Sequence, residues 1–389
     1  MILRTFGWSF AITGLGLLAA LLYGGPAGLA LVAVLAVLEI SLSFDNAVVN
    51  AKVLERMSTF WQKIFLTIGI AIAVFGMRLL FPLLIVGITA QMTPIEAFDL
   101  AFNDPKEYAH RMHEAYPTIA AFGGMFLMML FLDFVFEERA DKWLPWLERP
   151  LARIGKLDQL SVVVAAGALA LVAGLFAEDT GQVMIAGVLG MVTYILVNGL
   201  GELFSQGGED DGDGEDDGDG EEEVKVPAVK GTTGPNGLVL ATGKAGFFLF
   251  LYLEVLDASF SFDGVIGAFA ISTDPVVIML GLGIGAMYIR SLTVFLVRKG
   301  TLHEYVYLEH GAHWAIGALA VCMLISIAVH VPEAITGGLG AGLIIAAFLS
   351  SVLRNRRERN GASPGAAGPD GAEELHPTSV SGSGALTGE

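Results

Sequence analysis

The stretch LEISLSFDNA, Leu38–Ala47, decides how this chain is read. It lies in a run that is otherwise apolar from Ala27 and long enough to cross a bilayer, yet it holds Glu39 and Asp45 with Ser41, Ser43 and Asn46. One charge at a bilayer centre costs roughly 2.5–3.5 kcal/mol on insertion scales. Two acids in one apolar segment therefore call for a partner or a task.

The rest of the chain supports a membrane reading. Of 389 residues 54% are hydrophobic and 16% charged, and the mean hydropathy is +0.65. Such values describe an all-α polytopic membrane protein rather than a soluble globule. Ten apolar spans are read at about 7–23, 27–51, 61–89, 117–137, 160–177, 180–204, 245–271, 275–297, 312–331 and 333–353. They become nine if the last two, parted by VPEA, are one. The first span is read as a retained helix, because LLYGGPAGLA offers no clear cleavage site. Lys and Arg fall overwhelmingly on one side of this topology, with only Lys106 and Arg111 opposite and Arg78 and Arg290 inside spans. The positive-inside rule then places both termini in the cytoplasm of a bacterial-type inner membrane.

The net charge of −18 says little about the membrane body, since Glu209–Glu223 alone carries eleven acids and leaves −7 elsewhere. The organisation read is a first transmembrane half (1–204), an acidic cytoplasmic linker (205–243), a second half (244–354) and a polar tail (355–389). Linker and tail lack the apolar surface that ordering requires. The linker fails the calcium-loop pattern of an EF-hand. Cys322, the one cysteine, excludes an intrachain disulfide and a thiolate metal cluster and reads as a packing residue.

LEISLSFDNA has a second copy, LDASFSFDGV at Leu256–Val265. Aligned on Phe-Asp, Glu39 matches Asp257, Ser41 matches Ser259, Ser43 matches Ser261 and Asp45 matches Asp263. Glu254 stands one helical turn before Asp257. The span after each copy carries a buried arginine, Arg78 in AVFGMRLLF and Arg290 in IGAMYIRSL. Copies in the second and seventh spans run in opposite directions, which makes an inverted-topology repeat. Glu39 and Asp45 are six residues apart and cannot share a face of a regular helix. A kink or unwound turn is therefore expected at Ser-Phe-Asp-Asn and again at Ser-Phe-Asp-Gly.

The oxygen donors Glu39, Ser43, Asp45, Asn46, Glu254, Asp257, Ser261 and Asp263 suit a hard divalent cation. Arg78 and Arg290 would balance the acids when the cation leaves. Other features read as structural. His110, His113 and Glu114 fit a solvated amphipathic face over an outside metal site, His303, His310 and His313 fit caps over a pH response, His330 fits an interface, and Asp133 either joins a cavity or snorkels. No GxSxG, HExxH, Walker A or Rossmann fingerprint stands in a credible context, so neither an enzyme nor a resident cofactor is expected. No basic stripe points to nucleic acid.

At these residues the sequence resembles the TerC family of integral membrane proteins. LEISLSFDNAVV, LEVLDASFSFDGVIGAFAISTDP, GLGIGAMYIRSLTVFL and YLEHGAHWAIGAL carry the likeness, which covers most of the membrane body but neither the linker nor the tail. It departs at Gly264, where the family has Ser, and in extra spans around the core. The resemblance implies a metal-ion transporter, with manganese export or tellurium-resistance-associated metal homeostasis as its roles. It places Glu39, Asp45, Asn46, Glu254, Asp257 and Asp263 at the family's acidic motif positions. The partners expected are the bilayer and a transported divalent cation, Mn²⁺ foremost. The alternative is a non-transporting membrane scaffold of a metal or tellurite stress response, recruiting soluble cytoplasmic proteins through the acidic linker.

Overall fold

The computed structural model describes residues 2–89, 91–157, 159–206, 240–299, 305–329 and 331–361. Its described residues are almost wholly helical. The helices are α1 (Ile2–Leu42), α2 (Phe44–Glu55), α3 (Thr59–Ala71), which continues through a π-helical segment (Ile72–Leu80) into α4 (Phe81–Thr89), then α5 (Pro94–Asn103), α6 (Pro105–Phe136), α7 (Pro145–Ile154), α8 (Leu160–Phe176), α9 (Thr180–Gln206), α10 (Gly243–Ile271), α11 (Pro275–Lys299), α12 (Leu308–Ile325) and α13 (Glu333–Gly361). Among the described residues eight helices are long and apolar enough to cross a membrane. The chain is a polytopic all-α membrane protein.

α1 is two passes rather than one. Its apolar part, Phe6–Ser41, is 36 residues long. Straight, that would run about 54 Å, far beyond a hydrocarbon core of roughly 30 Å. Gly25 instead adopts φ 62°, ψ −156°, with Pro26 beside it. Only glycine takes such a backbone cheaply. The two arms run in opposite directions along α11. In the first arm Ser9 bonds the Met287 carbonyl (3.1 Å) and Ser291 (2.7 Å), and Gly16 lies against Ile284, seven residues earlier. In the second arm Leu35 meets Gly281 and Glu39 meets Gly285, rising together.

The motif helices are antiparallel. Asn46 of α2 bonds Asp257 of α10, while Glu39, seven residues earlier, lies beside Gly264, seven residues later. The arginine helices behave alike: Gly69 approaches Arg290, and Val74 meets Gly283. α3–α4, α6, α8 and α9 lie between the two motif helices in sequence, and antiparallel motifs require an even number of crossings there. The 17-residue α8, about 25 Å long, therefore counts as a crossing. With both arms of α1 and with α8, the apolar passes among the described residues number ten.

α6 and α12 form the centre of the bundle, with α6 buried along most of its length. α1, α8, α9 and α13 are outermost and carry exposed Trp8, Leu22, Leu175 and Ile185, as lipid-facing helices do. Two short helices were not among the spans read from sequence. α5 is fixed by a capping box, Thr93 with Glu96. α7 is amphipathic and turns Glu148 and Ala152, four residues apart, inward. The far end of the linker is also fixed: Ala241 exchanges backbone bonds with Arg56 (2.8 Å) and Ser58 (3.0 Å) beside α3.

The expected helix break is present in the first motif only. Ser43, at φ −99°, ψ 19°, separates α1 from α2. Its N–H still bonds Glu39 (3.0 Å), and its carbonyl accepts from Ala47 (3.3 Å), so the chain kinks without unwinding. The second motif corrects the expectation: α10 runs unbroken through Ser261 and Gly264. The physical reason is local. Asp257 and Glu254 already share one face of a straight helix at three-residue spacing, so no kink is needed to bring a second acid inward.

Candidate functional site

Glu39, Glu254 and Asp257 are buried at the crossing of α1, α2, α10, α11 and the α3–α4 span. Glu39 is 1% exposed and Arg78 6%. Arg78 Nη2 donates to Glu39 Oε1 at 2.5 Å, and its Nη1 donates to the Ala73 carbonyl at 2.5 Å. The Ala73 bond falls within the π-helical segment, whose wider turn presents Ala73 five residues before Arg78. At nine residues the segment is longer than the single-turn π bulges that recur at functional sites.

Arg290, the repeat's second arginine, serves two acids. Its Nη2 lies 3.2 Å from Asp257 Oδ2 and 3.5 Å from Glu254 Oε1. The same guanidinium donates to the carbonyls of Phe65 and Gly69, both at 3.3 Å, and stacks 3.8 Å from the centre of the Phe65 ring. Gly69 is needed here, because a Cβ would stand 2.6 Å from Glu254 Oε1 and 3.0 Å from Arg290 Nη1. Asn46 donates to Asp257 Oδ1 at 2.6 Å.

The two motifs thus serve one another. Asn46 and Gly264 occupy the same repeat position. Asn46 faces Asp257 of the other copy, and Gly264 faces Glu39 of the other copy. Buried polar atoms are normally paired, yet among the described residues Glu254 Oε2, Ser261 Oγ and both side-chain atoms of Asn50 have no hydrogen-bond partner. Asn50 lies one turn from Asn46 on the same face of α2, and Ser261 one turn from Asp257 on α10.

The structure therefore brings Glu39, Asn46, Glu254, Asp257, Ser261, Arg78 and Arg290 into one polar centre, with Ser43 at the kink beside it. The side chains of Asp45 and Asp263 lie outside the described residues, as do the linker from 207 to 239, His303, His330 and the tail from 362. Among the described residues no group of three or more His, Cys, Asp or Glu is gathered as a metal cluster. The arginines hold the acids instead. Phe65, Gly69 and Asn50 were missed from sequence. Gly69 lies in the Ile-Gly-Ile stretch of α3, and Asn50 repeats the Asn46 position one turn on, which are the signals the sequence offers for those two.

A cavity of about 560 Å³ opens at the end of the bundle bearing Lys52, Arg56 and Arg139, and it is lined also by Asp133, Tyr194 and Tyr252. Asp133 accepts from Tyr194 at 2.8 Å, so this acid joins a cavity. Across the mouth Glu309 bridges Lys52 (3.0 Å) and Arg139 (3.1 Å). Beside it, α7 inserts Glu148, which is bonded by Trp314 (3.1 Å), His310 (3.3 Å) and the Trp143 amide (3.1 Å). Burial pushes the Glu148 carboxyl up, but the bonds from His310 and Trp314 outweigh it and hold the group below the usual glutamate value. His313 stacks 3.7 Å from Phe134 and bonds the Glu309 carbonyl. Both histidines lie inside α12, buried against their neighbours, rather than capping it as expected. His110 pairs with Glu114 on an exposed face of α6.

Comparison with known proteins follows this geometry. The profile of the family described as "Protein of unknown function (DUF475)" matches residues 21–358, a stretch that holds both motifs and both arginines. A candidate membrane-bound redox modulator, Alx, of Escherichia coli strain K12 and its counterpart in Shigella flexneri are each 28% identical over 127 residues. That match covers 31% of this chain and 37% of each relative, so the chain spans little more than a third of the length of these curated relatives. No solved structure matches.

Proposed function

This chain belongs to the DUF475 family, and on that footing we propose that it carries divalent cations across a membrane by alternating access, with Mn²⁺ export as the leading case. One observation carries the reading: two inverted acidic motifs meet in a single buried centre where each copy supplies the residue facing the other's acid. A purely structural pair of ions needs no second copy. Buried ion pairs add little net stability over apolar packing, so two arginine–carboxylate sets in one membrane bundle point to a task.

The arginines give that task a cycle. In the empty state they pair with the acids and offset much of their charge, which lowers the cost of the centre at membrane depth without a cargo. When a cation takes the carboxylates, Arg290 keeps the Phe65 and Gly69 carbonyls and the Phe65 ring as anchors, so it can loosen from the acids without losing its place. The oxygen donors favour hard ions over Cu(I) or Zn²⁺. The cavity at the basic end lies on the cytoplasmic side by the positive-inside rule and serves as the vestibule. This topology keeps both termini in the cytoplasm of an inner membrane and matches the TerC-like resemblance. The reaction is transport, with no enzymatic step and no resident cofactor. A redox role, as named for the Alx relatives, would reach this chain through the metal it moves, since Cys322 is its one cysteine and is buried.

Proteoliposomes test this directly. Mn²⁺, Ca²⁺, Mg²⁺ and Zn²⁺ are supplied in turn with a pH-sensitive dye inside. Flux of a hard cation that disappears in Asp257→Asn supports transport. Absence of any flux from folded protein favours the scaffold reading, in which deletion of Glu209–Glu223 rather than Asp257→Asn removes function.

A further inference from the structure

We infer that α7 is an interfacial helix that docks on anionic lipid headgroups of the cytoplasmic leaflet. Its Arg149–Arg153 edge takes the headgroup phosphate, and its Trp146–Pro150–Ile154 edge enters the acyl boundary. This stands apart from the transport reading and holds equally for a scaffold.

Four rows of side chains run along α7, because a helix turns once in 3.6 residues. Glu148 and Ala152 face the bundle and are buried. Trp146, Pro150 and Ile154, at four-residue spacing, lie opposite them and are exposed, Trp146 by 74% and Ile154 by 51%. Arg149 and Arg153 form a third row on one flank, also exposed. Leu147 and Leu151 form the fourth, across the helix from the arginines and half-buried. A helix facing water carries polar residues opposite its buried face. Here that place is apolar and the charge is confined to one flank. That is the pattern of a helix lying in a membrane surface, with its apolar rows sunk toward the acyl chains and its basic row raised to the headgroups.

The place of α7 in the bundle agrees. Gly155, just past its end, packs against Phe136, the last residue of α6. Glu148 takes its bonds from His310 and Trp314 in the first two turns of α12. Just before α7, Trp143 donates to Ser350 of α13 at 3.1 Å, and Asp141 pairs with Arg354 of α13 at 2.8 Å. α6, α12 and α13 all cross the membrane, so α7 lies level with the place where they leave it. The positive-inside rule assigns that end to the cytoplasm, and tryptophan favours such an interface. Lys156 is already paired with Glu138 (3.3 Å), whereas among the described residues Arg149 and Arg153 form no ion pair. The acidic linker segment Glu209–Glu223, eleven acids with no base, matches the arginines in charge but offers nothing apolar to the Trp146 row. An anionic lipid satisfies both rows at once.

The test reconstitutes the full chain in vesicles of phosphatidylcholine and phosphatidylglycerol, with one of the two brominated in its acyl chains. Bromine quenches tryptophan on contact, and the part of the quenching that Trp146→Phe removes belongs to Trp146. Exchanging the brominated component gives the relative affinity of the two lipids at α7. Wild type is expected to favour phosphatidylglycerol by about 25-fold, about 5-fold from each arginine near an anionic surface, and the preference should shrink as salt rises. Arg149→Gln should reduce it by about 5-fold, and Arg149→Gln with Arg153→Gln should bring it close to parity. Arg149→Lys with Arg153→Lys, which keeps the charge, should retain most of it. Trp146 quenched by neither brominated lipid places α7 outside the leaflet and overturns the inference. So does equal quenching by both lipids in wild type, or a preference that survives the loss of both arginines.

Discussion

Gly69→Ala tests the centre through its tightest backbone approach. In an ordinary helix this change stabilises by about 1 kcal/mol, because alanine loses less freedom on folding. α3 is a regular helix at Gly69, so the backbone raises no objection. Space does. The new methyl would sit 2.6 Å from Glu254 Oε1, 3.0 Å from Arg290 Nη1 and 3.5 Å from the Phe250 ring. Glu254 and Arg290 are both buried, so neither can step into solvent. Their contact at 3.5 Å must open, and the Arg290 bond to the Gly69 carbonyl shifts with it. Breaking a buried pair costs roughly 3–5 kcal/mol. Set against about 1 kcal/mol of helix gain, the net expectation is a loss of about 2–4 kcal/mol. Thermal unfolding in nanodiscs reads this, with Gly167→Ala in α8 as the control, since a methyl there meets nothing within 4 Å. If Gly69→Ala proves as stable as Gly167→Ala, the description of the centre is wrong.

Arg78→Met should destabilise by roughly 3–5 kcal/mol by leaving Glu39 buried alone, and adding Glu39→Leu should recover most of that, because apolar replacements of whole buried pairs are near neutral; unfolding of the single and double variants decides it. Glu148 supplies a pH signature. Its folded value lies below the unfolded one, so its contribution to stability is complete above the ordinary glutamate pKa of about 4.3 and is lost as pH falls through the lower folded value. The difference in thermal midpoint between wild type and Glu148→Gln should be flat from pH 7 to pH 5 and shrink below about pH 4; a difference that grows on acidification would contradict the hydrogen bonds described.

Membrane character, the double motif and its arginine partners were legible in the sequence because each leaves a one-dimensional trace: apolar length, spacing and a misplaced charge. The ten passes were legible too, although length alone merges two of them, since the reversal in α1 hangs on the backbone of Gly25. The π-helical segment left no such trace. AVFGMRLLF reads as plain helix, and the wider turn becomes evident only when Arg78 reaches Ala73. The straightness of α10 was misread, because like motifs were expected to bend alike. Glu148 was hidden for a related reason: a glutamate on a short basic amphipathic helix looks solvated until its histidine and tryptophan partners, more than 160 residues away, are placed.

The Glu39–Arg78 pair has a bearing on how the chain is made. Its two members are 39 residues apart, so at 5–20 residues per second the arginine is synthesised roughly 2–8 s after the acid. The amide of Asn46 waits for an acid 211 residues downstream, roughly 10–40 s later. The first half can therefore cancel its own buried charge while the ribosome is still at work. The acids of the second half emerge into a bilayer that already holds Phe65, Gly69 and Asn46. The order of synthesis builds the receiving surface before the charges that need it.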